Sequence, residues 1–309
     1  MRMTRQSSLL TALSILTISV SVAHDAGAFC RKTTCPECPL DPVTQCPSGQ
    51  PLVWSRQCLS YALSRAGSKK VSIPEANAAA AEAFRVWQGV ACPGSGRPPS
   101  ILATEAYGLT GCNMHEYSKN SVNVNVILFH DDEWPHPQSE DAVGLTSTTY
   151  DERTGEIFDA DIEINSTLEL STSDAVATDK YDLLSVLTHE VGHFFGLAHS
   201  LDLDSTMQSI YDVGTDGFRT LSDDDIQGIC AIYPPDRPTR PCDFSPRGGF
   251  ASECALGATS GGCSVGSRSG GRGSGAGLAA SFSALLAAGL LKRRKPRRQR
   301  LTRAPSGLD

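Results

Sequence analysis

The stretch His189-Glu190-Val191-Gly192-His193-Phe194-Phe195-Gly196-Leu197-Ala198-His199 constrains this chain more than any other part of it. Residues four apart share one face of a helix, so His189 and His193 aim at one point if this segment is helical. Glu190 is one position on, about 100° round the helix, which sets its carboxylate beside that point rather than on it. Gly196 can take the positive φ that ends a helix, and the chain can then turn back so that His199 adds a third nitrogen. Three imidazoles leave the fourth position of a tetrahedral Zn²⁺ open for water, the arrangement of a catalytic site. A lone His-Glu-x-x-His occurs on many helices as ordinary polar-face or core residues. Here five positions are fixed in a chain with only 7 histidines. The pattern predicts a metal-dependent hydrolase with His189, His193 and His199 as ligands and Glu190 as general base.

The surrounding 309 residues leave room for one sizeable domain with appendages, or two small ones. The net charge of −7 hides an asymmetry. Residues 29–263 carry 15 Lys+Arg against 32 Asp+Glu, and the basic residues gather between Lys292 and Arg303. A nucleic-acid binder places positive charge on its folded part, so no nucleic-acid partner is expected. Residues 1–28 read as an export signal: Arg2 and Arg5, an apolar run from Leu9 to Val22, then Ala26-Gly27-Ala28 before Phe29. Export accounts for 11 cysteines. The ten from Cys30 to Cys254 can form five disulfides in pairings that spacing does not decide, with Cys263 left over. Cys35-Pro36-Glu37-Cys38 lacks a second matching pair, so a disulfide staple is expected there rather than a zinc ribbon or redox pair.

A Cys/Pro-rich segment covers 29–50, and the pattern from Pro51 to Pro234 is that of an α+β domain. Gln57 to Leu63 reads as a strand. Ser72-Ile73-Pro74-Glu75 opens a helix with a capping box and Pro in the first turn, and Ala80, Phe84 and Trp87 share one face to about Val90. Val122 to Phe129, Gly144 to Tyr150 and Ile157 to Ile164 alternate as strands. Asp179 to Leu197 is the expected metal-ligand helix, with Leu183, Leu184, Leu187 and Val191 inward. A last helix starts at Ser222, with Asp223, Asp224 and Asp225 at the positive end of its dipole and Ile226, Ile229 and Cys230 buried. Residues 235–274 read as a Pro/Gly/Ser-rich linker. Residues 275–309 read as a 17-residue apolar run, at the short end for a membrane span, and a basic exit from Lys292.

The eleven-residue motif resembles that of the metzincin metalloproteases. Ser200 after the third histidine resembles the matrixin branch, the matrix-metalloprotease type. Met207, eight residues after His199, matches the methionine of the family's Met-turn, and Tyr211 matches the tyrosine in the wall of the S1′ pocket. Leu221 to Ile229 is similar to the matrixin C-terminal helix, and Phe158-Asp159-Ala160-Asp161 to the strand before the metal helix. The resemblance implies a zincin-like domain: a mixed twisted sheet, a long active-site helix, a Met-turn and a C-terminal helix. It also implies one catalytic Zn²⁺ and an extended polypeptide substrate on the edge strand Gly144 to Tyr150. Relative to animal members, no histidine lies between Ala142 and Asp182, and Ile157 stands where a ligand of their second zinc is expected. Ser209 replaces the wall proline, and no cysteine-switch propeptide is recognisable. Asp159 and Asp161 are the sole hint of Ca²⁺, and solvated strand-end charges are the preferred reading of them. Gly261-Gly262-Cys263 with the apolar run and Arg-rich end resembles the C-terminal sorting signals of myxobacterial surface proteins. That implies cleavage near Cys263 and attachment to the cell envelope, a plain membrane anchor being the other reading.

Two rivals remain. A catalytically inactive, zinc-stabilised surface adhesion or binding module has no need of Glu190. A hydrolase of esters or small amides has no need of an edge strand that pairs with polypeptide.

Overall fold

In a computed structural model, which describes residues 28–238 and 241–254 and the backbone of 278–287, short pieces of regular structure are set around one metal-facing helix. The first strand segment divides into β1 (Cys58–Ser60) and β2 (Ala62–Leu63), which enter different sheets. Helix α1 (Ile73–Gln88) starts as its sequence requires: Ser72 accepts from Glu75 N–H, Glu75 reaches back to the cap, and Pro74 fills the first turn. Its buried residues are Ala76, Ala80, Ala83, Phe84 and Trp87. Small side chains let α1 approach closely, and the two aromatics contribute about 2–3 kcal/mol each on burial.

Strand β3 (Leu102–Thr104) pairs parallel with β1. The main sheet comprises β2, β4 (Val126–Phe129), β6 (Ile157–Ile164), β5 (Ala142–Asp151), β10 (Leu278–Ala287) and β9 (Ile210–Tyr211), in that spatial order. The first three are mutually parallel, and β5 returns antiparallel to β6 through the turn at Gly155. A two-residue pair, β7 (Leu170–Ser171) with β8 (Tyr181–Asp182), leads into α2 (Leu183–Phe194). Helix α2 is shorter than its hydrophobic pattern because Tyr181 and Asp182 are claimed by the ladder with β7, and Asp182 caps the helix by accepting from Ser185 N–H at 2.9 Å. Only Leu184 on α2 escapes full burial. Helix α3 (Asp223–Ile232) closes the domain with a capping box of Ser222 and Asp225.

The core lies between the sheet and the two long helices. Phe84 meets Phe194 and Phe195 edge-on, and Trp87 Nε1–H donates to Thr188 O at 2.7 Å, binding α1 to α2. Five disulfides use all ten cysteines of the described region: 30–46, 35–38, 58–242, 92–230 and 112–254.

Two expectations about the C-terminal part change. Residues 241–254 are not free linker. Cys242 and Cys254 are bonded to the domain, Ala251 is buried, and Phe250 bridges Asn123. Within the apolar run, Leu278–Ala287 is an extended strand on the edge of β5, and no helix among the described residues is long and apolar enough to cross a membrane. The unpaired N–H and C=O row of β5 explains why an apolar segment settles there as a strand. Residues 1–27, Cys263 and the basic exit lie outside the described residues.

Candidate metal centre

His189 and His193 occupy successive turns of α2. The chain reverses at Gly196, whose φ of +94° suits glycine, and returns His199 to the same point. Nε2 of His189 lies 3.1 Å from Nε2 of His193, which lies 3.2 Å from Nε2 of His199. His189 Nδ1–H donates to Thr206 O at 2.6 Å, and His193 Nδ1–H donates to Leu197 O at 2.8 Å. Those bonds fix the proton of each ring on Nδ1, so both Nε2 atoms present lone pairs. Two such nitrogens 3.1 Å apart repel unless a cation lies between them. Nitrogens bound tetrahedrally to zinc at about 2.0–2.1 Å stand about 3.4 Å apart, so the set fits Zn²⁺. Burial takes His189 and His193 well below the usual imidazole range, which keeps both neutral and able to coordinate.

Glu190 is fully buried beside this point. Thr146 of β5 donates its hydroxyl to Glu190 Oε2 at 2.6 Å, tying the carboxylate to the strand that borders the site. Met207 is also fully buried and packs against α2 at Gly192. Helix and turn meet so closely that a Cβ on Gly192 would stand 2.2 Å from Met207 Sδ and 2.7 Å from Trp87 Cζ2. Glycine at this position of the motif is therefore a packing requirement.

Sequence patterns missed what holds the methionine turn. Asp224 and Asp225 read from the sequence only as charges favoured by the helix dipole, and the structure shows both buried. Ser200 Oγ donates to Asp224 Oδ2 at 2.7 Å, and Phe29 N–H donates to Asp224 Oδ1 at 2.8 Å. Asp225 accepts from Ser205 Oγ at 2.5 Å, Thr206 N–H at 2.8 Å and Met207 N–H at 3.2 Å. Thr206 is the residue whose carbonyl orients His189, so the last helix holds a metal ligand through one backbone step. The signal that could have found this is the pairing of Asp-Asp-Asp with a Ser-Thr turn.

Tyr211 is buried, its ring 4.7 Å from that of Phe218, which lies over His189. Arg219 forks onto Asp182 with bonds of 2.7 and 2.8 Å and so joins the segment after Phe218 to the start of α2.

On the opposite face of β6, Asp159 and Asp161 are buried rather than solvated, which corrects the sequence expectation. Burial raises both carboxyls well above the ordinary range, and their proximity adds to the effect on Asp161. Asp161 spends its oxygens on the N–H groups of Val126 and Glu116, at 2.7 and 3.2 Å. Further along the strand three histidines left without a role by the sequence converge on buried Glu163: His115 Nδ1 at 3.0 Å, His130 Nε2 at 2.7 Å and His136 Nε2 at 3.1 Å. Burial works against the Glu163 charge, but these histidines overcome it and hold its carboxyl well below the usual range. Among the described residues, the groups of three or more close enough to share an ion are His189–His193–His199 and Cys112–Glu116–Cys254, and both cysteines of the second are in a disulfide.

Residues 53–234 match the family model for matrixin peptidases. The chain belongs to the matrixin family. Matrix metalloproteinase-16 of Rattus norvegicus is 31% identical to it over 196 residues, covering 61% of this chain and 29% of that protein. Neutrophil collagenase of Homo sapiens is 27% identical over 201 residues, 62% of this chain and 38% of its own length. Interstitial collagenase of Bos taurus is 48% identical over a shorter span of 62 residues, 20% of this chain and 13% of the relative. This matrixin thus spans less than a third of the length of the metalloproteinase-16 it resembles. Matrixins are extracellular zinc metallopeptidases, and five disulfides suit this one to an oxidising compartment.

Proposed function

We propose that this matrixin is an exported endopeptidase that hydrolyses peptide bonds within extended polypeptides. The observation that carries the reading is the convergence of three imidazole nitrogens beside a buried glutamate fastened to β5. His189, His193 and His199 hold the metal. When bound, Zn²⁺ lowers the pKa of water towards neutrality and polarises a carbonyl group. Glu190 accepts the proton of the attacking water and passes it to the departing amine nitrogen, a transfer that needs the carboxylate fixed within hydrogen-bond reach. Met207 floors the histidines, and Tyr211 walls the pocket beside β9.

Substrate adds as a strand to β5, main-chain bonds giving affinity and pockets giving selectivity. The chain's own β10 supports this: it runs antiparallel to β5 from Leu278 opposite Asp151 to Leu286 opposite Ala142, and parallel to β9 at Leu286 and Ala287. An extended segment is therefore accommodated between β5 and β9. We also propose that the C-terminal tail attaches the enzyme to the cell envelope, with Cys263 as the processing point.

Digestion of casein or a peptide library, with and without chelator, tests the activity. Hydrolysis should require metal and vanish in Glu190→Ala with zinc retained. Hydrolysis by purified, zinc-loaded Glu190→Ala sinks the assignment. Zinc retention with no hydrolysis by the wild type supports instead a non-catalytic binding module.

A further inference from the structure

Lys32 is buried, 4% exposed, and the chemistry above makes no use of it. An ammonium leaves water at a cost that only acceptors and a counter-charge offset. Backbone bonds on both sides fix its place. Lys32 N–H donates to Gly196 O at 2.9 Å, and its carbonyl accepts from Leu52 N–H at 2.8 Å. The Cys30 carbonyl accepts from Ala198 N–H at 2.8 Å, and Arg31 bridges Leu197 antiparallel. The Cys30–Cys46 disulfide secures the start of this short run. Segment 30–32 therefore lies along the reversal that follows the metal helix, and it sends the Lys32 side chain to the face of β5 that carries the Thr146 and Thr148 hydroxyls. There Nζ donates to Thr148 Oγ1 at 2.7 Å and to Thr146 O at 3.3 Å. Thr146 in turn directs its hydroxyl to Glu190 Oε2 at 2.6 Å, 3.1 Å from the Glu190 carbonyl. Burial pushes the Lys32 ammonium down to about 7, and the nearby Glu190 carboxylate works against that shift.

We propose that Lys32 is a positioning residue for the general base: it anchors Thr146 and Thr148 on the face of β5 turned to Glu190, and Thr146 holds the Glu190 carboxylate in its working orientation. The disulfide-stapled N-terminal segment is then part of the catalytic apparatus. A general base displaced by a fraction of an ångström loses rate while substrate binding, made along the strand edge, is unaffected. This rests on Glu190 being the base.

The test uses the full chain as Lys32→Met, which keeps an unbranched side chain of similar length, Thr146→Val, which keeps shape and removes the hydroxyl, and the double variant. Each single change should lower kcat about 10- to 100-fold with KM within about twofold. Because both act through one contact, the double variant should lose no more than about threefold beyond the weaker single. Metal affinity and the visible spectrum of the cobalt-substituted protein should match the wild type. Multiplied losses in the double, a kcat within threefold of wild type in either single, or a loss that tracks lost metal overturns the proposal. If Lys32→Met does not fold, Thr146→Val decides alone: a kcat loss at constant KM and cobalt spectrum supports it, and wild-type kcat overturns it. Glu190→Ala in the same assay separates the two readings. An active Glu190→Ala removes the base assignment, whereas an inert Glu190→Ala beside an unaffected Lys32→Met removes only the positioning role.

Discussion

Replacing Asp225 with alanine tests whether helix α3 holds the metal site together. Asp225 is fully buried, and three donors of the methionine turn end on it: Ser205 Oγ, Thr206 N–H and Met207 N–H. Ser222 adds a backbone and a hydroxyl donor at 2.9 and 2.8 Å from the start of α3. Alanine removes every acceptor at once. A buried donor without a partner costs about 1–3 kcal/mol, and losing the capping-box partner adds about 0.5–1 kcal/mol. Rotation of the Ser205 hydroxyl and water entering the vacated space offset part of this. The expected loss is about 4 kcal/mol, a fall of about 8–16 °C in Tm for a domain of this size. The turn also carries the carbonyl that orients His189, so metal affinity should fall about 10- to 100-fold. Urea unfolding followed by circular dichroism, and zinc titration against a competing chelator, read the two effects. A loss below about 1.5 kcal/mol with unchanged affinity refutes the claim that the turn depends on this carboxylate.

Two further outcomes follow from groups outside the ligand set. His115 is raised above its ordinary pKa by its bond to Glu163, with burial opposing. Its stabilisation is complete below the unfolded imidazole pKa, about 6.5, and disappears as pH rises through the folded value. His115→Gln should therefore cost more stability at pH 6 than at pH 8.5. Its half-exposed ring limits the difference to below about 1 kcal/mol through screening, and urea midpoints equal at both pH values count against the clasp. At β10, adjacent N–H groups point to opposite sides, so Phe282→Pro with Ser283→Pro removes one bond to β5 whichever side each faces. If β10 and substrate share the edge of β5, KM for a peptide should fall about fivefold per bond lost, and an unchanged KM in a progress-curve assay shows that they do not compete.

Much of the site was legible because its residues are adjacent in sequence. The helix period places His189 and His193 together, and Gly196 marks the reversal. The Ser72–Glu75 capping box and the Ser222 cap were readable from local spacing. The elements that failed are those decided by distant partners. Gln57 to Leu63 carries one strand pattern, yet its halves go to Leu102–Thr104 and Val126–Ile127, because the neighbours available to each half differ. Asp179 to Asp182 carries a helix pattern, but pairing with β7 and the capping demand of Asp182 win over periodicity.

By itself the sequence determined the proposed chemistry: the candidate metal donors and base, the helix that carries them and the matrixin resemblance, all set by short-range spacing and the 3.6-residue turn. Only the tertiary structure decided the disulfide pairing, since spacing does not choose among partners up to 184 residues apart. It alone showed that Asp224 and Asp225 are interior struts, that Asp159 and Asp161 are buried, and that residues 241–254 belong to the domain. It alone brought Lys32 to the strand face that holds Glu190, 158 positions away in the chain. A charged side chain looks the same in sequence whether water or a buried hydroxyl surrounds it, and the difference is a matter of which distant segment folds over it.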